Sequence, residues 1–149
     1  MKTTTVISSL PTQQSVLRVA AYCRVSTDKY DQSLSLENQI RHYTDYISHH
    51  PGWAYAGIYS DAGISGSKEN RPGFCRMLAD ARAGKIDKIL TKSISRFARN
   101  TVTVLKAARE LKEYGVGIFF EEQNLDTLTQ AGELMLTVYA SFAEEELRS

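Results

Sequence analysis

The sequence predicts an α/β fold: a mostly parallel β-sheet of four to five strands flanked by helices. Short apolar runs rich in β-favouring residues alternate with segments of helical periodicity. Pro51-Gly52, the Gly- and Ser-rich 61–71 segment, Gly84 and Gly115 mark switches between them. A chain of 149 residues is also the size of one domain with a single core. Strands separated by helices join in parallel by right-handed crossovers, and ligands of such sheets collect at the carboxyl ends of the strands.

Residues 1–16 carry one charge among many Ser, Thr and Gln and read as a flexible N-terminal tail. Leu17–Val25 (LRVAAYCRV) is short and apolar enough for a buried first strand. Ser33 to His50 places Leu36, Ile40, Tyr43 and Ile47 at helical spacing, and Pro51-Gly52 breaks that helix. Trp53 to Tyr59 reads as a second strand, and Asp61 to Arg71 as a loop rich in Gly, Ser and charge. Pro72 suits a first helical turn, with Phe74, Leu78 and Ala81 on one face up to Gly84. Ile86 to Thr91 is a third strand. Thr101 to Tyr114 is a helix with Val104, Leu105, Ala108 and Leu111 inward and Gly115 as its stop. Val116 to Glu121 is a fourth strand, Asn124 to Gln130 a loop, and a last helix starts near Ala131.

That last helix is apolar on every side from Leu134 to Ala143, which calls for burial all round. A central core helix and a subunit interface both satisfy this pattern. The helix runs on through Glu144, Glu145 and Glu146 with no Gly, Asn or Pro to stop it, so a fragment of a longer protein is expected.

Composition narrows the function classes. Hydrophobic residues make up 42% and charged residues 23%, which excludes wholesale disorder. No run approaches the ~18 apolar residues of a membrane span, so no membrane partner is expected. Val6 to Leu17 is too polar for a signal peptide, which implies a cytoplasmic protein. Two cysteines, Cys23 and Cys75, make no disulfide framework. With no CxxC pair and three histidines, no metal site is expected either. Net charge is +1, but residues 51–100 carry a net +5 and residues 101–149 a net −5. A local basic surface on a neutral whole suits a phosphate-handling site, although solvated helix faces give the same pattern.

The sequence lacks the GxxxxGK[ST] and GxGxxG loops and the GxSxG elbow. His42, His49 and His50 lie on or after a polar helix, away from any strand end. What gathers at the strand ends is serine with arginine: Arg24 and Ser26, then Arg71, then Arg96 and Arg99. Guanidinium groups stay charged and fork onto phosphate oxygens. A serine among several of them suits attack on a phosphoryl centre. Arg24 and Ser26 share one face of a strand, Arg96 and Arg99 one face of a helical turn, and Cys23 points the other way, into the core.

At these residues the chain resembles a known family. Tyr22-Cys23-Arg24-Val25-Ser26-Thr27 is similar to the YxRVST strand end of the serine recombinases, the resolvase and invertase family. Ser35 to Gln39 resembles the start of the helix that follows it there. Asp61 to Gly66 with Arg71-Pro72-Gly73-Phe74 resembles the DxGxSG…RPGF segment. Lys92 to Asn100 resembles KxxxRxxRN, and Phe142 to Glu146 the AExE start of the long oligomerisation helix.

The resemblance implies a resolvase-like catalytic domain over 17–130 and the start of that helix over 131–149, with C-terminal DNA-binding domains beyond. It implies site-specific DNA recombination, with double-stranded DNA at recombination sites as partner and no cofactor. Ser26 would attack the phosphodiester and form a 5′-phosphoseryl intermediate. Arg24, Arg71, Arg96 and Arg99 would hold the phosphate, with Lys92 as a further phosphate contact. Gln39, Asp61 and Ser65 match supporting catalytic positions, and Glu146 a long-helix position near the active site. A homodimer would bind each site and a synaptic homotetramer would exchange strands.

Two departures stand out. Ser95 occupies a place where resolvases usually carry an acid, which with RPGF is more like the large serine recombinases of phages and conjugative transposons. Leu147 stands where many relatives have arginine. Two other readings stay open on the residues alone. One is a non-catalytic α/β regulatory domain with a phosphate-binding arginine patch. The other is a metal-dependent nuclease, for which Asp61 and Asp87 are few carboxylates.

Overall fold

The computed structural model describes residues 16–25, 29–62, 71–98 and 100–148, leaving aside the side chains of 29–34, 143 and 146–148. Its elements are β1 (Leu17–Val25), α1 (Lys29–Ser48), β2 (Trp53–Ala62), α2 (Pro72–Arg82), β3 (Lys88–Thr91) and α3 (Ile94–Phe97). They continue with α4 (Thr101–Glu113), β4 (Gly117–Phe120), β5 (Leu125–Asp126) and α5 (Gln130–Arg148). The strands lie in the order β2-β1-β3-β4-β5. The first four run parallel, and β5 returns antiparallel to β4. The alternating α/β sheet expected from the sequence is therefore present, with five strands.

Helices cover both faces, which is why β1 is apolar on both sides. Ala20 and Tyr22 face the larger core layer, shared with Phe74 and Met77 of α2, Val104, Ala108 and Leu111 of α4, and Leu136 of α5. Val19, Ala21 and Cys23 face α1, where Tyr43 and Ile47 close a second layer with Leu90. Burial pushes the Cys23 thiol up to about 12, with nearby Glu121 adding to the effect, so it packs as a small apolar group.

Local chemistry explains the element ends. Asn100 caps α4 by accepting from Thr103 N at 2.8 Å. Gly115 ends α4 at φ 78°, a left-handed position that suits glycine. In β2, Gly57 at φ 132° accompanies a register shift between Val19 and Ala20, so the strand carries a bulge partway along.

Several expected bounds move. The first helix begins at Lys29 rather than Ser33. β2 runs on through Asp61 and Ala62, which read as loop, because bonds from α2 hold the Asp61 carboxylate in a buried place. β3 and β4 start at Lys88 and Gly117, where their ladders begin; Ile86 and Val116 are buried just before them. The Asn124–Gln130 loop contains β5, and the final helix starts at Gln130. In α4, Ala107 is buried and Leu105 only half-buried.

The final helix is not a central core helix. Leu136 is fully buried, but Leu134, Val138 and Phe142 are 66%, 44% and 55% exposed. Spaced by four, they form one outer stripe. Its first turn is tied down: Lys112 pairs with Glu133, and a Cβ on Gly132 would collide with Asp126 O. Among the described residues, no helix is long and apolar enough to cross a membrane, and no cluster of His, Cys, Asp or Glu could hold a metal.

Candidate active site

The carboxyl end of β1 delivers Arg24, and the segment after β3 meets it there. Arg24 Nη2 donates to Ser95 O at 2.7 Å and Arg24 Nε to Arg96 O at 3.1 Å. Arg96 Nη1 donates back to Arg24 O at 2.8 Å. Arg71, just before α2, is buried and donates from Nη1 to Phe97 O at 2.6 Å. Three consecutive carbonyls of one short helix, α3, thus accept from arginines of two other segments. Backbone carbonyls orient a guanidinium, whose own charge is permanent.

Beneath them lies a buried polar network. Tyr22 OH donates to Asp61 Oδ2 at 2.8 Å and lies 3.4 Å from Arg71 Nη1. Asp61 also accepts from Gly73 N at 2.8 Å and Phe74 N at 3.0 Å. The carboxylate therefore caps α2, whose own leading residue, Arg71, makes no side-chain cap. Burial, followed by the bond to Asp61, pushes the Tyr22 phenol above its ordinary range and keeps it a donor. The Arg71 guanidinium sits 3.9 Å over the Phe74 ring. Gly73 is required because a Cβ there would collide with Ser60 O.

The structure thus brings together Arg24, Arg71, Arg96 and Asp61 from the residues expected at the site. Gln39 is half-buried on α1, and Lys92 is exposed at the end of β3. Ser95 is exposed, with its hydroxyl 3.2 Å from Ser93 Oγ. Ser26, Ser65 and Arg99 lie outside the described residues, as do the N-terminal tail through residue 15 and the side chain of Glu146. His42 and His49 are exposed on α1.

Two participants escaped the sequence reading. Tyr22 was a motif letter, although its alternation with Arg24 already put both on one face. Gln123, from the β4–β5 turn, accepts from Ile94 N at 3.2 Å. Nothing local to its sequence marks it. It lines an open cleft of about 360 Å³ beside α3, together with Ser93, Ser95, Asn100 and Tyr139.

Comparison with known proteins agrees with this geometry. The family described as resolvase, N-terminal domain, matches residues 19–149. The chain is 34% identical over 127 residues to the transposon Tn552 resolvase of Staphylococcus aureus, covering 84% of this chain and 57% of that protein. It is 29% identical over 132 residues to the transposon Tn3 resolvase of Escherichia coli, covering 89% and 65%. The chain thus spans about three fifths of the length of these curated relatives. Among solved structures, a resolvase family site-specific recombinase from Streptococcus pneumoniae superposes with a TM-score of 0.74 at 34% identity, covering 89% of each chain. The N-terminal catalytic domain of TP901-1 integrase superposes with a TM-score of 0.71 at 28% identity, covering 88% of this chain and 97% of that one. With the family matched across nearly the whole sheet and its helices, the chain belongs to the resolvase N-terminal domain family, the catalytic domains of serine recombinases.

Proposed function

We propose that this chain is the catalytic domain of a site-specific DNA recombinase that cuts and rejoins DNA through Ser26. The observation that carries the reading is the meeting of Arg24, Arg71 and Arg96 at α3, beside the strand end that Ser26 follows by one residue. Permanently charged forks at one strand end suit a phosphodiester, whose transition state gathers charge on its non-bridging oxygens.

In this mechanism the Ser26 hydroxyl gives up its proton and its oxygen bonds to phosphorus. The bond from phosphorus to the 3′ oxygen breaks, and that oxygen takes a proton. The products are a 5′-phosphoseryl link and a free 3′-hydroxyl; rejoining runs the same steps backwards on an exchanged strand. Arg24, Arg71, Arg96 and Arg99 bind the phosphate, with Lys92 as an outer contact. Asp61 is committed to three donors, so its part is to hold Arg71 and α2 in place rather than to shuttle protons. Gln39, Ser65, Ser95 and Glu146 are supporting groups. The exposed stripe of Leu134, Val138 and Phe142 is the surface by which two copies pair and four assemble.

The test uses the full-length parent protein and a duplex carrying its recombination site. Wild type accumulates a covalent protein–DNA adduct when exchange is blocked, with or without chelator. Ser26→Ala gives none and keeps the wild-type melting temperature. An adduct in Ser26→Ala removes the serine from the mechanism, and a strict metal requirement for cleavage replaces this reading with a nuclease.

A further inference from the structure

Helix α3 is a single turn, Ile94–Phe97, too short to hold its own shape. Yet its carbonyls are the acceptors for Arg24 and Arg71. Its support comes from elsewhere in the chain. Ser93 caps it with a long bond of 3.3 Å to Arg96 N. The N–H of Ile94, which no residue within the turn can accept, donates to Gln123 Oε1.

Gln123 is carried there by a built turn. Glu121 N donates to Thr91 O at 3.0 Å and Glu122 N to Lys92 O at 2.8 Å, so the β3–β4 pairing continues past the strands. The chain then reverses: Asn124 N donates to Glu121 O at 3.1 Å, and Asn124 takes φ 51°, a left-handed value asparagine tolerates. Gln123 and Ser95 therefore line one cleft.

We infer that Gln123 is a positioning residue for the phosphate-binding arginines, acting through α3. The β4–β5 turn fixes the N-terminus of α3, and α3 in turn fixes the angle at which Arg24 and Arg71 present their forks. The inference rests on the recombinase reading above, but its structural half can be measured without DNA.

The experiment compares wild type, Gln123→Leu and Gln123→Glu in the full-length parent. It follows adduct formation at saturating DNA, the half-saturating DNA concentration, and hydrogen exchange at the Ile94 amide. Leucine removes the acceptor and glutamate keeps it. Losing one hydrogen bond predicts adduct formation slowed roughly two- to tenfold in Gln123→Leu, with Ile94 exchange faster by a similar factor. Half-saturation stays within about twofold, because the DNA-reading elements are untouched. Gln123→Glu restores both rates, and melting temperatures agree throughout because Gln123 is exposed. Wild-type adduct formation and exchange in Gln123→Leu overturns the inference, as does an equal loss in both variants. A wild type that forms no adduct, with the exchange difference intact, removes the recombinase reading and the catalytic role with it, but not the support of α3.

Discussion

Strand β1 carries an arginine near each end, and the two are held differently. Arg18 forks onto the Asp87 carboxylate, Nη2 to Oδ1 at 2.9 Å and Nε to Oδ2 at 3.0 Å, with Nη1 on Gly84 O. Its charge is paired where it sits, at the exposed amino end of β1. The bonds from Arg24 to Ser95 and Arg96 go to neutral carbonyls, and those carbonyls sit on a turn supported by another segment. A carboxylate partner makes an arginine a clip between strands. Carbonyl partners fix the angle of a guanidinium at the strand end where the proposed site lies.

That contrast can be broken by exchange of function. Replacing Arg24, Arg71 or Arg96 with Ala should slow adduct formation by roughly 100- to 1,000-fold each, the range for a lost transition-state donor. Arg18→Ala should leave the rate unchanged. Single-turnover cleavage assays on the four variants decide it; a comparable loss in Arg18→Ala would erase the distinction.

The support under the site should show in stability. Gly73→Ala forces a methyl against Ser60 O and should cost roughly 1–3 kcal/mol in urea unfolding, as overpacking does. Tyr22→Phe should cost less, about 1 kcal/mol for one hydrogen bond, while still slowing cleavage because Arg71 and Asp61 lose a shared partner. Full activity in Tyr22→Phe would confine that network to folding.

The smallest effect belongs to the clip. Its bond from Arg18 holds the Asp87 carboxyl below its ordinary value of 3.8. The folded state therefore releases that proton more readily than the unfolded state. The stability this contributes is complete at neutral pH and is lost as pH falls from about 4 through the lowered value in the fold. Comparing acid unfolding of wild type and Arg18→Ala should show a shallower acid dependence in the variant below pH ~4, and matching curves above pH ~5 apart from a constant offset.

The same contrast shows what a sequence reveals. Leu17–Val25 was legible to the residue, because the middle of a strand covered on both faces, here Val19 to Cys23, is an unbroken apolar run. So was the gathering of Arg24, Arg71 and Arg96, since parallel strands deliver their carboxyl ends to one edge. The end of β2 was not: Asp61 reads as loop until its three donors, distant in sequence, are known. Gln123 was hidden for the same reason, since a side chain that serves a backbone N–H 29 positions away leaves no periodic trace. The last helix was half legible. Its composition demanded burial on all sides, but among the described residues the Leu136 side is covered while Leu134, Val138 and Phe142 are exposed.

The bulge in β2 has a consequence for the protein in crowded company. β2 stands at one edge of the described sheet, ten residues long, with its outer hydrogen-bonding groups turned away from β1. Such an edge invites a stray strand to add itself and begin an aggregate. An invader would have to keep one rhythm of donors and acceptors along the whole edge. At Gly57 that rhythm slips by a residue and the ribbon twists, so a flat strand that fits the first half faces a mismatch in the second. The irregularity that spoils a perfect ladder thus protects the open side of the sheet from its neighbours.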